Sequence, residues 1–256
     1  MKKLLSLSLG LALMGAGCGA APSNGAPNAG QPSRPSIAVG EPNPSAPSGN
    51  CLNAYFPSKK GFAITYKSSF GHTASEYKNT VTDVNADGLS VEIAFPQKNI
   101  SMKQDYVCEG SKIRAKGYAD LSSAMAGTKV TFETKAQDGL YLPEKLVVGA
   151  KWESSADVVG KIESGPLAQA GIRELKETIS TKSEALAKEK VTVAAGTFDA
   201  IKVKQDTTVK VQMGTTNAAP ITTTSYVWFV EGVGMVKSVS SVSGSTSTIE
   251  ATEIQR

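Results

Sequence analysis

Apolar and polar side chains alternate along most of the chain from residue 61 onward. The segment from Leu89 to Phe95 is typical, because Leu, Val, Ile and Phe occupy every second position, with Ser, Glu and Ala between them. A period of two places successive side chains on opposite faces of a β-strand, one buried and one wet. The pattern predicts an antiparallel sheet whose outer face is rich in Thr, Ser and Lys. We expect residues 51–256 to form one all-β domain with minor helix, a strongly curved antiparallel sheet that is a half-barrel or sandwich-like.

Four short segments that contain glycine predict where strands end. They are residues 86–88, 137–139, 195–197 and 231–234. Glycine, often with Asp, favours tight turns between apolar runs.

Helical patterning is weak. Residues 119–126 are one candidate for a short helix. Pro166 suits the first turn of a second helix, which we expect to run through residues 164–175. The competing interpretation makes residues 172–185 a strand, and the alternation favours that interpretation past about Ile179.

The N-terminus has the order of a lipoprotein export signal. Two lysines precede an apolar run at residues 4–14 that is too short to span a bilayer, and small residues lead into Cys18. Here the chain resembles bacterial lipoproteins, whose precursors are acylated at such a cysteine and cut just before it. The resemblance implies a signal peptide at residues 1–17 and several acyl chains, such as palmitate, on Cys18. Each buried CH₂ of these chains contributes about 0.8 kcal/mol to membrane binding. The alternative is an ordinary secretory signal that happens to contain a cysteine.

The stretch after Cys18 predicts a disordered linker over residues 18–50. It is nearly all Gly, Pro, Ser, Ala and Asn, and it holds seven of the chain's 12 prolines. Such a composition cannot bury enough apolar surface to offset the entropy of ordering it. As a flexible coil, its ends would lie roughly 30 Å apart. It is either a stalk that lifts the domain off the membrane or a linker with no required reach.

The two remaining cysteines are Cys51, at the start of the predicted domain, and Cys108, in a predicted strand. An exported protein meets oxidising conditions, in which a leftover pair usually forms a disulfide. The rival interpretation is two free or metal-binding thiols, but no second pair at ligand spacing accompanies them. We expect the disulfide, which would fasten the first residues of the domain to the sheet.

Three stretches carry a resemblance to a known family. They read Leu-Pro-Glu-Lys-Leu-Val-Val-Gly-Ala-Lys-Trp at residues 142–152, Lys-Val-Thr-Val-Ala-Ala-Gly-Thr-Phe-Asp-Ala-Ile-Lys-Val at residues 190–203 and Trp-Phe-Val-Glu-Gly-Val-Gly-Met-Val-Lys at residues 228–237. In this order they resemble the TapB-like domains of unknown function in bacterial envelope lipoproteins, over roughly residues 51–254. The resemblance implies a long antiparallel sheet curled into a half-barrel, similar in outline to periplasmic carriers of lipid-linked cargo. It implies no catalytic residues. These residues also have a purely structural interpretation as turns and core anchors.

No residue pattern predicts catalysis. His72, the chain's one histidine, lies in an expected hairpin loop, and no Gly-x-Ser-x-Gly motif supplies a nucleophile. The acidic residues are scattered, without spacing typical of an acid–base pair. The formal net charge is only +4, and no basic run with interleaved aromatics indicates nucleic-acid binding. We expect no catalytic site and no cofactor.

A weak calcium candidate lies at Asp83, Asn85 and Asp87, whose spacing copies the first half of a calcium-binding loop. The twelfth position of such a loop needs a bidentate Glu, and here it is Ala94. A hairpin turn explains the same residues without an ion, and we favour that interpretation.

The sequence therefore predicts an exported protein, anchored by lipid to the cell membrane or outer membrane. Its domain would face the periplasm or the exterior and would bind, without catalysis, an apolar ligand or lipid-linked cargo in a concave sheet. The alternative is a structural or interaction protein of the envelope, displayed on a flexible stalk. A hydrolase whose residues converge only in the fold is the least favoured function.

Overall fold

A computed structural model describes residues 51–117, 129–242 and 245–256 of the protein. The described residues form thirteen strands, one four-residue helix and one 3₁₀ turn. The strands are β1 Ala63–Phe70, β2 Thr73–Val84, β3 Gly88–Phe95, β4 Ile100–Glu109, β5 Lys112–Lys116, β6 Lys129–Gly139, β7 Lys151–Ser164, β8 Glu174–Val193, β9 Gly196–Met213, β10 Thr216–Asn217, β11 Ile221–Val230, β12 Gly234–Val242 and β13 Ser245–Gln255. Helix α1 is Pro166–Gln169, and the 3₁₀ turn is Pro96–Lys98. No helix in this part of the chain is long and apolar enough to cross a membrane.

All of the strands belong to one antiparallel sheet, as the alternation predicts. The order across the sheet is β5, β4, β3, β2, β1, β13, β12, β11, β9, β8, β7 and β6, and β10 pairs with β9. Strands that are neighbours in this order are also consecutive in sequence when the short β10 is left out. The one exception is β1, which lies beside β13. The sheet curves strongly into a nearly closed barrel. The predicted all-β class and strongly curved antiparallel sheet are confirmed.

The barrel closes where its two edge strands, β5 and β6, approach each other. Ile113 of β5 forms an isolated bridge with Leu142, just beyond β6, in which the Ile113 N–H donates to the Leu142 carbonyl at 3.1 Å and the Leu142 N–H donates back at 3.2 Å. The Arg114 guanidinium donates to the carbonyl of Gly139 at 3.3 Å. These contacts tie the two edges together without a continuous ladder between them.

Two apolar clusters fill the interior, at opposite ends of the long strands. The first lies at the end where β8 meets β9 and β11 meets β12, and it includes Tyr66, Trp152, Val203 and Phe229. The second lies at the other end of β7, β8 and β9, under α1, and it includes Leu167. Along β8 and β9, the buried residues recur at every second position.

The segment before β1, residues 51–62, closes the first end of the barrel. Cys51 is disulfide-bonded to Cys108 of β4, with the two Cα atoms 5.0 Å apart. The Asn53 side-chain amide donates to the carbonyls of Ser111 at 2.7 Å and Pro143 at 2.9 Å. The Gly232 N–H, in the β11–β12 turn, donates to the Ala54 carbonyl at 2.7 Å. The segment therefore bridges three separate loops of the barrel rim, and we call it the rim segment.

The second predicted helix is much shorter than expected. We expected it over residues 164–175, but α1 ends at Gln169 and β8 begins at Glu174. Gly171 has a φ of 80°, a conformation that ends helices and suits glycine. From Glu174 onward, the backbone instead forms hydrogen bonds to β7 on one side and to β9 on the other. The competing strand interpretation is correct, and the strand begins earlier than Ile179.

Three of the four predicted turns join strands as expected, at residues 86–88, 195–197 and 231–234. At residues 137–139 a strand ends as predicted, because Gly139 is the last residue of β6, but these residues pair with β7 and do not themselves form the turn. Gly139 has a φ of 84°, and a Cβ atom there would collide with the Glu153 carbonyl. This glycine therefore serves a close approach between β6 and β7. The predicted leader at residues 1–17, Cys18, the linker over 18–50 and the candidate helix at 119–126 lie outside the described residues.

Candidate functional site

A cavity of about 80 Å³ lies between the rim segment and the barrel wall. We call it the tyrosine cavity. Its lining includes Tyr55, Phe56, Tyr66, Tyr106, Tyr141 and Met235. A space of this size is large enough for a small apolar group, and an apolar lining favours such an occupant over water.

Aromatic rings determine the shape of the cavity. Phe56 of the rim segment meets Tyr106 edge-on, with ring centroids 4.8 Å apart, and meets Tyr141 at 5.7 Å. On the opposite side, Tyr66 stacks on Tyr77 at 5.1 Å. The rim segment thus contributes a ring to the cavity wall and also covers the cavity.

Two phenols of the wall, those of Tyr66 and Tyr141, stay protonated. The Tyr66 hydroxyl donates to the Met235 carbonyl at 2.7 Å, and burial raises the pKa of Tyr66 well above its ordinary value. Burial likewise raises the pKa of Tyr141 to about 12. A phenol whose pKa is raised in this way cannot act as a base near neutral pH.

Asn79 of β2 is the polar side chain of the lining whose hydrogen bonding is incomplete. Its Oδ1 atom is buried and has no hydrogen-bond partner in the described part of the chain. Buried carbonyl oxygens are normally paired, so this atom can accept a hydrogen bond from a bound molecule. The lining thus combines a largely apolar surface with one free acceptor, an arrangement suited to binding rather than to acid–base chemistry.

The comparisons with known proteins now identify the family. A model of the DUF3108-like family matches residues 60–242, which is more than half of the chain. The chain belongs to the DUF3108-like family. The match spans β1 to β12, and hence most of the barrel and its cavity. A search of curated proteins finds no significant match to this chain.

Two solved structures share the fold of this DUF3108-like chain. One is described as a candidate lipoprotein of Parabacteroides distasonis, with 17% identity, a TM-score of 0.52, and coverage of 79% of this chain and 99% of the other. The second is described as a candidate exported protein of Bacteroides fragilis with a YmcC-like fold, with 15% identity, a TM-score of 0.51, and coverage of 80% and 100%. At such low identity, these similarities establish the fold alone.

The structure places the one histidine of this DUF3108-like chain away from the cavity. His72 lies in the two-residue turn between β1 and β2 and is exposed. The rim segment covers the other end of β1, beside Phe62 and Ala63.

The calcium candidate is a hairpin turn. Asp83 lies in β2, and Asn85 and Asp87 lie between β2 and β3. The Asn85 Oδ1 atom accepts hydrogen bonds from the backbone N–H groups of Asp87 and Gly88, both at 3.0 Å. This oxygen is therefore engaged in the turn. Among the described residues, no group of three or more His, Cys, Asp or Glu side chains is placed to hold a metal.

Sequence reasoning missed two incompletely paired polar side chains of the interior, Asn79 and Glu177. Glu177 of β8 is 3% exposed in the second cluster, and its Oε2 atom has no partner in the described chain. Burial raises the pKa of this carboxyl to about 7. A signal for Glu177 was present, because it lies between Leu175 and Ile179 on the parity of the buried positions. The same signal marks Asn79, which lies between the buried Tyr77 and Val81 on β2.

Proposed function

We propose that this protein is an exported, lipid-anchored envelope protein that binds an apolar ligand in its barrel and does not catalyse a reaction. The observation that carries the proposal is the tyrosine cavity, a mostly apolar space with protonated phenols and one free acceptor at Asn79. Sites with these features are typical of small-molecule binding. The ligand class that fits best is a small apolar group, such as the end of the hydrocarbon chain of a lipid-linked cargo.

The stretches that resemble TapB-like domains support the proposal by their position. Trp152 from the first, Val203 from the second and Phe229 from the third all belong to the apolar cluster around the cavity. Segments that are far apart in sequence thus build one end of the barrel. We propose that the finer kinship is to these TapB-like envelope domains.

The anchoring part of the proposal rests on the predicted leader and linker, and on the place where the domain begins. Cys51 follows the linker directly and is bonded to β4 at the covered end of the barrel. A lipid on Cys18 would therefore hold this end of the barrel within the reach of the linker from the membrane. The descriptions of the two fold relatives, a candidate lipoprotein and a candidate exported protein, agree with an envelope location.

The binding test uses the chain from residue 18 onward, secreted behind a cleavable export signal and carrying Cys18→Ser to prevent acylation. Native mass spectrometry would detect a co-purified apolar molecule, and titration with methyl oleate would measure affinity. We expect binding to the unmodified barrel and a loss of at least tenfold in Val91→Phe, whose larger ring enters the cavity. The matched control is Val147→Phe, because Val147 is 57% exposed and lies outside the lining. Circular dichroism checks that both variants fold.

Two outcomes would reject the ligand. One is an empty barrel that does not bind methyl oleate, and the other is equal binding by the folded Val91→Phe variant and its control. In vivo crosslinking that recovers an envelope protein from such a ligand-free barrel would favour the structural or interaction function instead.

A further inference from the structure

Exposed apolar side chains are concentrated at the first end of the barrel. The described residues contain five exposed large apolar side chains, and four of them lie on segments that meet there: Leu52 at 52% exposure, Val147 at 57%, Val148 at 54% and Leu186 at 38%. The fifth, Tyr226, lies on the outer side of β11. Single exposed apolar residues are common on protein surfaces, whereas several at one end indicate a contact surface. We call these four residues the apolar face.

Backbone contacts place three members of the apolar face beside one another. Val147 and Val148 are consecutive in the connection between β6 and β7. The N–H of the next residue, Gly149, donates to the Ala185 carbonyl of β8 at 2.8 Å. Leu186 follows Ala185 directly and is on the outer side of β8, since Ala185 is buried in the core. The two valines and Leu186 therefore lie at one corner of the barrel.

Leu52 of the rim segment borders the same connection. Its N–H donates to the Gly110 carbonyl, in the turn between β4 and β5, at 3.2 Å. The side-chain amide of the next residue, Asn53, donates to the Pro143 carbonyl at 2.9 Å. Pro143 precedes Val147 by four residues, so their Cα atoms are at most about 14 Å apart. The apolar face thus extends from the rim segment across the β6–β7 connection to β8.

The predicted linker over residues 18–50 joins the domain at this end. Leu52 directly follows Cys51, and the disulfide to Cys108 fixes the point at which the chain enters the barrel. A flexible linker with its ends roughly 30 Å apart gives the tethered partner an effective concentration on the order of millimolar. A membrane that holds Cys18 would therefore be presented to the apolar face at a concentration at which even a weak contact forms.

The charges at this end favour neither a strongly basic nor a strongly acidic partner. The rim segment and the described connections between strands at this end carry three lysines and three acidic residues, which are Lys59, Lys60, Lys145, Asp87, Glu144 and Glu231. Their formal charges cancel. Apolar contact, rather than attraction between opposite charges, would therefore hold this face against its partner. A lipid surface without net charge meets that requirement.

We propose that the apolar face is the surface by which the barrel rests on the lipid bilayer that carries its anchor. This inference rests on the anchoring part of the proposed function and adds the orientation of the domain. Leu and Val side chains gain free energy when they leave water for the boundary between headgroups and acyl chains. The rim segment and the tyrosine cavity that it covers would then lie on the membrane side of the barrel, close to a source of apolar ligands.

The experiment tethers the chain from residue 18 onward to vesicles through Cys18 itself. The chain has three cysteines, and the bond between Cys51 and Cys108 leaves Cys18 as the free thiol. A phosphatidylethanolamine with a maleimide on its headgroup captures this thiol, so the tether does not depend on acylation in the cell. The remaining lipid is phosphatidylcholine with brominated acyl chains, which quench nearby tryptophan fluorescence.

The probe is Val148→Trp, with the emission of the parent's two tryptophans subtracted. We expect brominated lipid to lower the emission of the introduced tryptophan about twofold or more relative to unbrominated lipid, because the side chain enters the bilayer boundary. The matched control is His72→Trp. His72 is exposed in the β1–β2 turn, at the opposite end of the strands, so its replacement should not be quenched.

The decisive variant adds Leu52→Ser/Val147→Ser/Leu186→Ser to Val148→Trp, and it should retain less than about half of the quenching. Its matched control adds Tyr226→Ser instead, which removes an exposed apolar side chain outside the face and should leave the quenching unchanged. All of the replaced side chains are exposed, so we expect these variants to fold. Circular dichroism checks that they do.

The outcomes separate this inference from the proposed function. Absent quenching, equal quenching at both ends, or quenching that the folded serine variant keeps would overturn the membrane face. A dimer in vesicle-free solution that the serine variant loses would also overturn it, and would assign the face to contact between two copies of the chain. Mass spectrometry of the protein from its own envelope tests the anchor separately. If Cys18 carries no acyl chain there, the anchoring part of the proposed function fails, whatever the vesicles show.

Discussion

The two ends of the barrel are closed in different ways. At the first end, the rim segment is fastened by a disulfide and places Phe56 against Tyr106 and Tyr141. At the second end, the connection that contains the four-residue helix α1 packs Leu167 over aliphatic residues of β7 to β9. The first end encloses a cavity, and the second encloses a buried carboxyl, Glu177.

The difference shows how side-chain shape decides what a barrel can hold. Rigid rings that meet edge-on leave space between them, and the covalent bond of Cys51 holds the cover over that space. Branched aliphatic side chains fill the second end closely, and one oxygen of the Glu177 carboxyl there has no hydrogen-bond partner in the described chain. One sheet thus carries a binding end and a packing end.

Removing the disulfide should produce the largest change in stability and should act on the first end of the barrel only. We expect Cys51→Ser/Cys108→Ser to lower the free energy of unfolding by about 4 kcal/mol, because the bond closes a loop with a sequence separation of 57. Urea denaturation of the oxidised parent and the variant measures the change. Hydrogen exchange should accelerate in the rim segment and stay unchanged at α1. Equal acceleration at both ends would show that the ends are not independent.

Glu177 should make the second end sensitive to pH. The pKa of its carboxyl is raised to about 7 in the folded protein, from an ordinary value of 4.5, so folding favours the protonated form. Its contribution to stability is present below pH 4.5 and is lost as the pH rises through about 7, with a total change of about 3 kcal/mol. Glu177→Gln should remove this dependence, as measured by urea denaturation from pH 4 to pH 8. Parallel pH profiles for the two proteins would contradict the assignment.

At the first end, replacing Asn79 tests the free acceptor. Asn79→Leu removes a buried oxygen without a partner, and we expect a gain in stability of about 1 kcal/mol. Thermal unfolding measures the gain. Thr80→Val is the control, because Thr80 is the next residue of β2 and lies on its opposite face. A loss of stability in Asn79→Leu would mean that its oxygen is paired in solution.

The smallest change in stability is expected for Ser240, which lies between the two ends of the barrel. Ser240→Ala should change the free energy of unfolding by less than about 1 kcal/mol, in the stabilising direction, because its hydroxyl has no partner. Urea denaturation against Ser241→Ala measures the difference. Clear destabilisation would show that the Ser240 hydroxyl is part of the packed core.

The alternation of side chains was enough to predict the antiparallel sheet, its strong curvature and three of its turns. It could not predict that β13 lies beside β1, because that pairing depends on contacts between distant parts of the chain. It assigned Ser and Thr to the wet face, and this is wrong for Ser183, Ser240 and Ser247, which are buried on the inner face. The residue type suggested the solvent-exposed face of the sheet, whereas even spacing from neighbouring core residues gives the correct, inner face.

The candidate site could be predicted only in part. The bond between Cys51 and Cys108 was expected from the number of cysteines and the export signal, and the structure contains it. An apolar site in a concave sheet was expected, but the position of the tyrosine cavity was not, because its walls come from the rim segment, β1 to β4, and β11 to β12. No single stretch of the sequence indicates this cavity, because the cavity forms only when these segments come together in the fold.

The position of β13 has a consequence for how the chain reaches its fold. The last strand pairs with the first, from Ala63 opposite Gln255 to Phe70 opposite Ser247, in the middle of the sheet. A chain that emerges N-terminus first therefore cannot join its two halves until the eleven residues of β13 have emerged as well. Until then, β1 and β12 both present open edges to which other chains can add, so loss of β13 by truncation would favour aggregation.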